Sequence, residues 1–269
     1  YLSIFIQRFS QLIFLILFLL FFNQNLFCFT FSYLFSIFIK NFYIFLEYKK
    51  INIIKYKLKF SEKFLILKEI IIPSLRLGVV NLGTFLIIRS NLYVVNFFLG
   101  FKIGASFAIL QQIAGAASGL AYVIYNSDFP VFLRHIVKKM KVKMFILRTI
   151  RNSLLIYLLS YVFGVLVLSY LIKFSYFDSV TLLSIEIIIF YCIINIFEIN
   201  RFFFEGYLTY KYEISWLWPS LIAGIFILLF QSIIGFLYPN LMIMLLVHFI
   251  VQSLYNFWKW PKKLLDEIK

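Results

Sequence analysis

The sequence is short of charge, of turn-forming residues and of the side chains that bind metals. Charged residues make up 14% of the 269 positions and acidic residues number only 11, whereas soluble domains carry about 25% charged residues. Two cysteines, Cys28 and Cys192, cannot form a framework of bridges, and no cluster of Cys and His is present. These shortages exclude a soluble globular enzyme, a disordered chain and a disulfide scaffold.

Long hydrophobic runs are abundant, because 63% of the residues are hydrophobic and 22% are aromatic. A bilayer core of about 30 Å is crossed by roughly 20 apolar residues in a helix. The chain therefore predicts an all-α polytopic membrane protein with eight spans. The predicted spans are 2–22, 26–46, 74–98, 104–126, 153–174, 180–200, 214–236 and 240–258.

Turn-forming residues separate the runs. They occur at Asn23 to Asn25, at Gly100 to Gly104, at Asp128 with Pro130, and at Pro239 with Asn240. The runs are continuous rather than alternating over about ten residues, so membrane strands are excluded.

Basic residues predict the orientation of the spans, because Lys and Arg concentrate in cytoplasmic connections. They fill the stretches after the second and fourth spans and follow the sixth (Arg201, Lys211) and eighth spans, whereas the opposite connections hold only Lys102 and Lys173. Both ends and the even-numbered connections are therefore predicted to be cytoplasmic. The basic residues are dispersed over loops facing anionic lipid, which argues against nucleic-acid binding.

All four tryptophans fall at the predicted cytoplasmic ends of the last two spans, where such rings favour the headgroup layer. The four are Trp216, Trp218, Trp258 and Trp260.

Two connections mix lysine with apolar residues, over 47–69 and over 131–151. Both compositions are typical of an amphipathic segment lying on the inner leaflet. Either segment can serve simply as a cytoplasmic anchor. For 47–69 the alternative is a linker between two halves of a transporter that move against each other.

Polar residues inside the spans are the candidate functional residues, since a charge facing lipid is costly. Arg89, Glu186, Gln111, Gln112 and His248 all fall roughly 9–14 Å from the predicted outer end of their spans, at 1.5 Å per residue. They indicate one of three arrangements. These are a set of unrelated interhelical hydrogen bonds, a single Arg89–Glu186 pair, or a hydrated cavity with affinity for an anionic ligand to which Arg89 supplies the charge. For His248 alone, we favour a hydrogen-bonded packing residue over a proton relay.

Three other features have simpler structural interpretations. Arg76 lies near the cytoplasmic start of the third span, where its side chain can snorkel to the interface. Glu198 beside Arg201 is expected to form an ion pair at the interface. Gly115 and Gly119 form a small-residue face that predicts close helix packing.

Catalytic and cofactor motifs are absent: there is no phosphate loop, no serine elbow and no external domain. We therefore expect a protein that is not an enzyme and needs no cofactor or metal.

One stretch has a familiar pattern, "PSLRLGVVNLGTFLIIRSNLYVVNFFLGFKIGASFAILQQIAGAASGLAYVIYNSDFP". It resembles the O-antigen and polysaccharide flippases of the superfamily that includes the multidrug-and-toxin extruders. The shared features are a span ending at a short Leu-Gly loop (Leu99, Gly100, Gly104), a span with Gln and Gly, and a proline (Pro130) before a basic segment. Related proteins often carry an Asp near the middle of the first of these spans, where this chain has Arg89, Ser90 and Asn91.

The resemblance implies two six-helix bundles with both ends cytoplasmic, of which the chain would be an N-terminally truncated part. Residues 1–46 would be the last two spans of the first bundle, 47–69 the linker, and 70–269 the complete second bundle. The implied function is flipping of a polyprenyl-pyrophosphate-linked oligosaccharide across a bacterial inner membrane, with membrane lipids and a coupling ion as further partners. The candidate substrate-path residues are Arg76, Arg89, Asn91, Gln111, Gln112, Glu186 and His248.

Two other functions remain open. A multidrug or cation extruder of the same fold would have a cavity rich in carboxylates. A membrane glycan polymerase or ligase, which is an enzyme, would need a large outer loop.

Overall fold

The computed structural model describes residues 10, 14, 26–50, 60–138, 140–173, 182–209 and 215–267. This part of the chain is helical and contains no strand. The chain divides into two units, Tyr1–Ile66 and Leu67–Lys269, at a boundary inside the predicted linker 47–69. The helices are α1 (Leu26–Lys50), α2 (Phe60–Ile88), α3 (Ser90–Val137), α4 (Lys143–Lys173), α5 (Ile185–Leu208), α6 (Leu217–Leu237), α7 (Leu241–Leu254) and α8 (Asn256–Glu267).

In the first unit, α1 covers the predicted second span, 26–46. Its apolar stretch Leu34–Leu46 is shorter than the other candidate spans. It leaves Phe38 and Phe42 exposed, and the ring of Phe35 lies 5.2 Å from that of Phe14. The predicted first span lies outside the described residues, except for Ser10 and Phe14.

Within the described residues, five helices are long and apolar enough to cross a membrane, as expected of a membrane protein. They are Ser74–Val137, which joins most of α2 to α3, then Lys143–Lys173, Ile185–Leu208 and Leu217–Leu237, and finally Leu241–Glu267, which joins α7 to α8.

The first of these helices is too long for a single crossing and reverses direction at Gly100. This residue has φ +81° and ψ 166°, a conformation open essentially to glycine alone. The Nε2 atom of Gln111 donates to the carbonyl of Ile88 at 3.2 Å, although a straight helix would separate these residues by about 34 Å. The predicted turn at Gly100 is therefore confirmed, and the described residues of Leu67–Lys269 form six apolar helical segments.

Aromatic contacts place the connections of this unit at two opposite ends. At one end, Phe132 of α3 packs on Tyr207 of α5 at 4.7 Å, and Trp216 lies 6.3 Å from Trp260. At the other end, Gly235 of α6 lies against Phe98, two residues before the Gly100 turn. The successive segments therefore alternate in direction, as the sequence predicts.

The four tryptophans differ in exposure. Trp218 and Trp258 are exposed, whereas Trp216 and Trp260 are buried and pack against each other.

The predicted break at Asp128 and Pro130 is wrong, because α3 continues through Pro130 to Val137. Thr149 of α4 donates to the carboxylate of Asp128 at 2.6 Å, and Phe132 is fully buried, so tertiary contacts hold the helix across the proline. Residues 131–151 therefore form the ends of two packed helices and the turn between them, not one amphipathic segment. From residue 101 to Val137, α3 is about 55 Å long, which exceeds a bilayer core of about 30 Å.

The predicted span 180–200 is displaced along the sequence, since α5 covers Ile185–Leu208. Glu186 therefore lies in the first turn of the helix and is exposed, not six residues inside it. Arg201 lies inside the helix and is 2% exposed, so it does not belong to a basic loop.

Helix α2 meets α6 where two glycines face each other. A Cβ atom on Gly83 would lie 2.9 Å from the backbone of Leu221, and one on Gly224 would lie 2.9 Å from the carbonyl of Gly83. Small residues let the two backbones approach closely at this point. This contact holds α2 in place as one wall of the site.

Candidate functional site

A cavity of about 410 Å³ lies between α2, α3, α5 and α7. Its wall contains five amides, one arginine, one histidine and one glutamate, together with hydroxyl and apolar side chains. Helix α2 contributes Asn81, Thr84, Phe85 and Ile88, and the junction between α2 and α3 contributes Arg89. Helix α3 contributes Asn91, Gln111, Gln112, Gly115, Ser118 and Tyr122. Helix α5 contributes Tyr191, Ile194, Asn195, Glu198 and Ile199, and α7 contributes His248.

The backbone is distorted where α2 meets α3. Ser90 donates its hydroxyl to the carbonyl of Leu86, and Asn91 donates Nδ2 to that of Ile87 at 3.2 Å. Side chains that bond four residues back in this way commonly bend helices. Leu92 donates to Arg89, only three residues back, and the carbonyl of Ile88 accepts from Gln111.

Arg89 occupies this distorted position and is exposed. It is the only permanently cationic side chain among the described residues that line the cavity. No ion pair joins Arg89 to Glu186 among the described residues, because Glu186 lies at the exposed start of α5. Arg89 therefore lies in the cavity wall with no carboxylate bound to it among the residues that the structure describes.

Five of the seven candidate residues lie together in this wall, namely Arg89, Asn91, Gln111, Gln112 and His248. Glu186 and Arg76 do not line it, and both are exposed.

Gly115 and Gly119 do not form a packing face in the described part of the chain. A Cβ atom built on either glycine meets nothing within 4 Å. Gly115 instead lies in the cavity wall, one turn from Gln111 and Gln112.

A chain of buried polar side chains begins in the wall and continues along α5. His248 lies 2.9 Å from Asn91 through Nδ1 and 3.0 Å from Glu198 through Nε2. Arg201 lies 3.0 Å from Glu198 and 3.5 Å from Glu205. We call Asn91, His248, Glu198, Arg201 and Glu205 the polar network.

The expected pairing of Glu198 with Arg201 is present, but the predicted end of the span before Arg201 is wrong, because Arg201 lies inside α5. Both side chains are less than a tenth exposed and lie between helices. The error follows from ending the helix at residue 200, which places Arg201 in a loop. The sequence does carry a usable signal: positions 198, 201 and 205 lie on one face of a helix.

The sequence reasoning also missed cavity residues on α2 and α5, among them Asn81, Thr84 and Asn195. The sequence does contain a pattern that indicates them, because polar residues three positions apart lie on the same face of a helix. Such pairs occur at 81 and 84 on α2 and at 195 and 198 on α5.

The wall can hold an anion, because Arg89 provides a charge and the amides provide N–H donors beside it. The one carboxylate of the wall, Glu198, is already bound to Arg201 and His248. Among the described residues, no group of three or more His, Cys, Asp and Glu side chains is placed to hold a metal ion.

No family model matches this chain, and neither the curated proteins nor the solved structures compared with it give a match.

Proposed function

We propose that this protein is a membrane transporter that carries an anionic amphiphile, a polyprenyl-pyrophosphate-linked oligosaccharide, from the inner to the outer leaflet of a bacterial plasma membrane. The observation that carries the proposal is the exposed Arg89 in an amide-lined cavity between apolar helices. A guanidinium forms paired, charge-assisted hydrogen bonds to phosphate oxygens, which suits it to a pyrophosphate.

The arrangement we propose is that of the flippases which the sequence resembles. It has eight spans in this chain, a second six-helix bundle formed by residues 70–269, and both ends in the cytoplasm. Six apolar helical segments of alternating direction in Leu67–Lys269 support it. The head group would cross through the cavity while the prenyl tail stays in the bilayer, as two bundles open alternately.

Reconstituting the full-length protein in liposomes with a fluorescent prenyl pyrophosphate bearing one sugar tests the proposal. A membrane-impermeant quencher then reports how much of the lipid has changed leaflet. Arg89→Ala should weaken binding of this lipid about 10- to 100-fold and abolish its transfer, because a charged hydrogen bond contributes about 1.5–3 kcal/mol. Arg89→Lys should retain part of the activity.

Arg76→Ala is the matched control, since Arg76 is an exposed arginine preceding the same junction but lies outside the wall. Transfer should be unchanged in this variant. Equal losses in the two alanine variants, or full transfer by Arg89→Ala, would remove the cavity from the mechanism.

A cation or drug extruder of the same fold is the second candidate, and the presence of Glu198 in the wall is the observation that favours it. Such a protein would export ethidium from vesicles, and Glu198→Gln would stop the export while Arg89→Ala would not. The engagement of Glu198 by two basic side chains makes this candidate the weaker one.

A further inference from the structure

A second polar cavity lies at the end of Leu67–Lys269 where Trp216 and Trp260 meet, away from the site at Arg89. Its volume is about 490 Å³, and we call it the basic cavity. Its charged lining comes from one helix, α8, with three lysines and two carboxylates, Lys259, Lys262, Lys263, Asp266 and Glu267. Three lysines against two carboxylates leave the lining with one net positive charge.

An apolar groove of about 380 Å³ lies beside the basic cavity, between α6 and α7. All of its lining residues except Asn256 have apolar or aromatic side chains, among them Trp218, Ile222 and Phe226 of α6 and Leu254 of α7. From Trp218 to Phe226 the groove follows α6 for about 12 Å, at 1.5 Å per residue. Tyr255 lines both the apolar groove and the basic cavity, so the two adjoin at this residue.

The chain bends where the groove and the cavity meet. Tyr255 separates α7 from α8 and has φ −142° and ψ −54°. The side chain of Asn256 donates to Gln252 at 2.7 Å and accepts from Nε1 of Trp260 at 3.3 Å. Asn256 and Trp260 are both buried, so hydrogen bonds inside the protein hold α8, and with it the lysines, at the end of the groove.

Two of the lysines have defined contacts in the basic cavity. Lys263 donates from Nζ to the hydroxyl of Ser215 at 2.9 Å, and Nζ of Lys259 lies 5.8 Å from the centre of the Tyr255 ring. A contact with the face of a ring uses no acceptor and an ammonium has three hydrogens, so Lys259 can donate to an anion without leaving Tyr255. Lys262 lines the same cavity and is exposed.

We propose that the basic cavity and the apolar groove together bind one phospholipid with a single negative charge, a phosphatidylglycerol. Its phosphodiester accepts hydrogen bonds from Lys259 and Lys262, and one acyl chain lies along the groove from Trp218 towards Phe226. The glycerol hydroxyls of the head group donate to the carboxylates of the lining. The charge of the lipid then balances the net charge of the cavity.

The position of the site in the membrane agrees with this ligand. Basic cavities between membrane helices on the cytoplasmic side bind the head groups of anionic lipids, and the orientation proposed above places α8 on that side. A zwitterionic phospholipid fits less well, because its cationic group would lie among three lysines and the net charge would stay unbalanced. The site is independent of the proposed transport, since none of its residues lines the cavity at Arg89.

Quenching of tryptophan fluorescence by brominated lipids tests the proposal, because Trp218 lines the groove and bromine on an acyl chain quenches an indole that it contacts. The full-length protein in detergent micelles is titrated with brominated phosphatidylglycerol, and the lipid fraction that gives half of the maximal quenching is measured. Trp218→Phe should remove the saturating part of the quenching. Trp258→Phe is the matched control and should retain it, since Trp258 is exposed but lies outside the groove.

The lysines are tested by the double variant Lys259→Gln with Lys262→Gln. It should weaken phosphatidylglycerol binding about 30-fold, at about fivefold for each lysine beside an anionic lipid, and it should remove the preference over brominated phosphatidylcholine. The matched control is Lys138→Gln with Lys141→Gln, which removes the same charge from exposed positions at the same end of the unit. This control should bind the lipid as the unaltered protein does.

The groove is tested by Ile222→Gln, which should weaken binding about tenfold because a polar group replaces apolar surface against the acyl chain. Ile225→Gln is its control, since Ile225 is an exposed isoleucine of the same helix outside the groove.

Three results would overturn the lipid site. Saturating quenching that survives Trp218→Phe would place the lipid elsewhere. Equal losses in the two double lysine variants would show that the basic cavity does not bind the phosphate. Brominated phosphatidylethanolamine or phosphatidylcholine that binds as tightly as phosphatidylglycerol would show that the lipid is not selected by its charge.

Discussion

Arg201 bridges two carboxylates, Glu198 and Glu205, on one face of α5. Its guanidinium is 3.0 Å from Glu198 and 3.5 Å from Glu205, and it is 2% exposed. Removing one partner of a buried ion pair leaves an uncompensated charge, which costs more than losing a surface pair.

We expect Arg201→Met to destabilise the protein by about 3–5 kcal/mol, because two buried carboxylates would lose their common cation. Arg148→Met is the matched control, since Arg148 is exposed on α4 and its loss should cost less than about 0.5 kcal/mol. Denaturant titration in detergent micelles measures both. Similar stabilities for the two variants would mean that the polar network contributes nothing to the fold.

Individual candidate residues could be found from the sequence because the cost of burying polar groups in lipid singles them out. Arg89, Gln111 and His248 share a wall, as their similar depths in the spans suggested. Glu186 was misplaced because the apolar run 180–200 does not show where the helix begins, and an error of five residues moves a side chain by about 8 Å.

At the scale of elements, Gly100 decides whether the first long helix is one segment or two. Its positive φ reverses the chain, and Asn96 then contacts Gly104 in the returning segment. Gly78 is the useful comparison, because a Cβ atom at either glycine would meet nothing within 4 Å.

Gly100→Ala should destabilise the protein by about 1–3 kcal/mol through backbone strain alone. Gly78→Ala should be neutral or stabilising by up to about 1 kcal/mol, because alanine is the better helix former. The same titration compares them. Equal effects would show that the reversal does not depend on the conformation of Gly100.

The elements that the sequence misplaced are those in which tertiary contacts override local signals. Pro130 normally ends a helix, yet α3 continues because Phe132 and Asp128 are held by α5 and α4. Such contacts join residues about 20 to 75 positions apart, so no local pattern reveals them. The end of α5 at Leu208 is hidden for the same reason, since Arg201 resembles a loop residue until its two partners are known.

For the molecule as a whole, alternating direction of the segments and the distribution of basic residues agree within Leu67–Lys269. The α3–α4 connection, with exposed lysines at 138, 141 and 143, lies at the end where α5 finishes and α8 packs. Lys102 lies beside the Gly100 turn, at the opposite end.

Composition alone was sufficient to predict a helical membrane protein, because the apolar runs match the thickness of a bilayer. The cavity could not be predicted in the same way, since it depends on the junction at Arg89 and on helix contacts that pair distant residues.

Labelling of single cysteines tests whether the apolar segments cross the membrane. The cysteines are placed at positions 102 and 141 in a chain whose own Cys28 and Cys192 are replaced by alanine. Membrane vesicles of known orientation are treated with a thiol reagent that cannot cross the bilayer. Position 141 should react only from the cytoplasmic side and position 102 only from the opposite side. Reaction of both positions from the same side would contradict the membrane-crossing arrangement on which the cavity and its proposed transport depend.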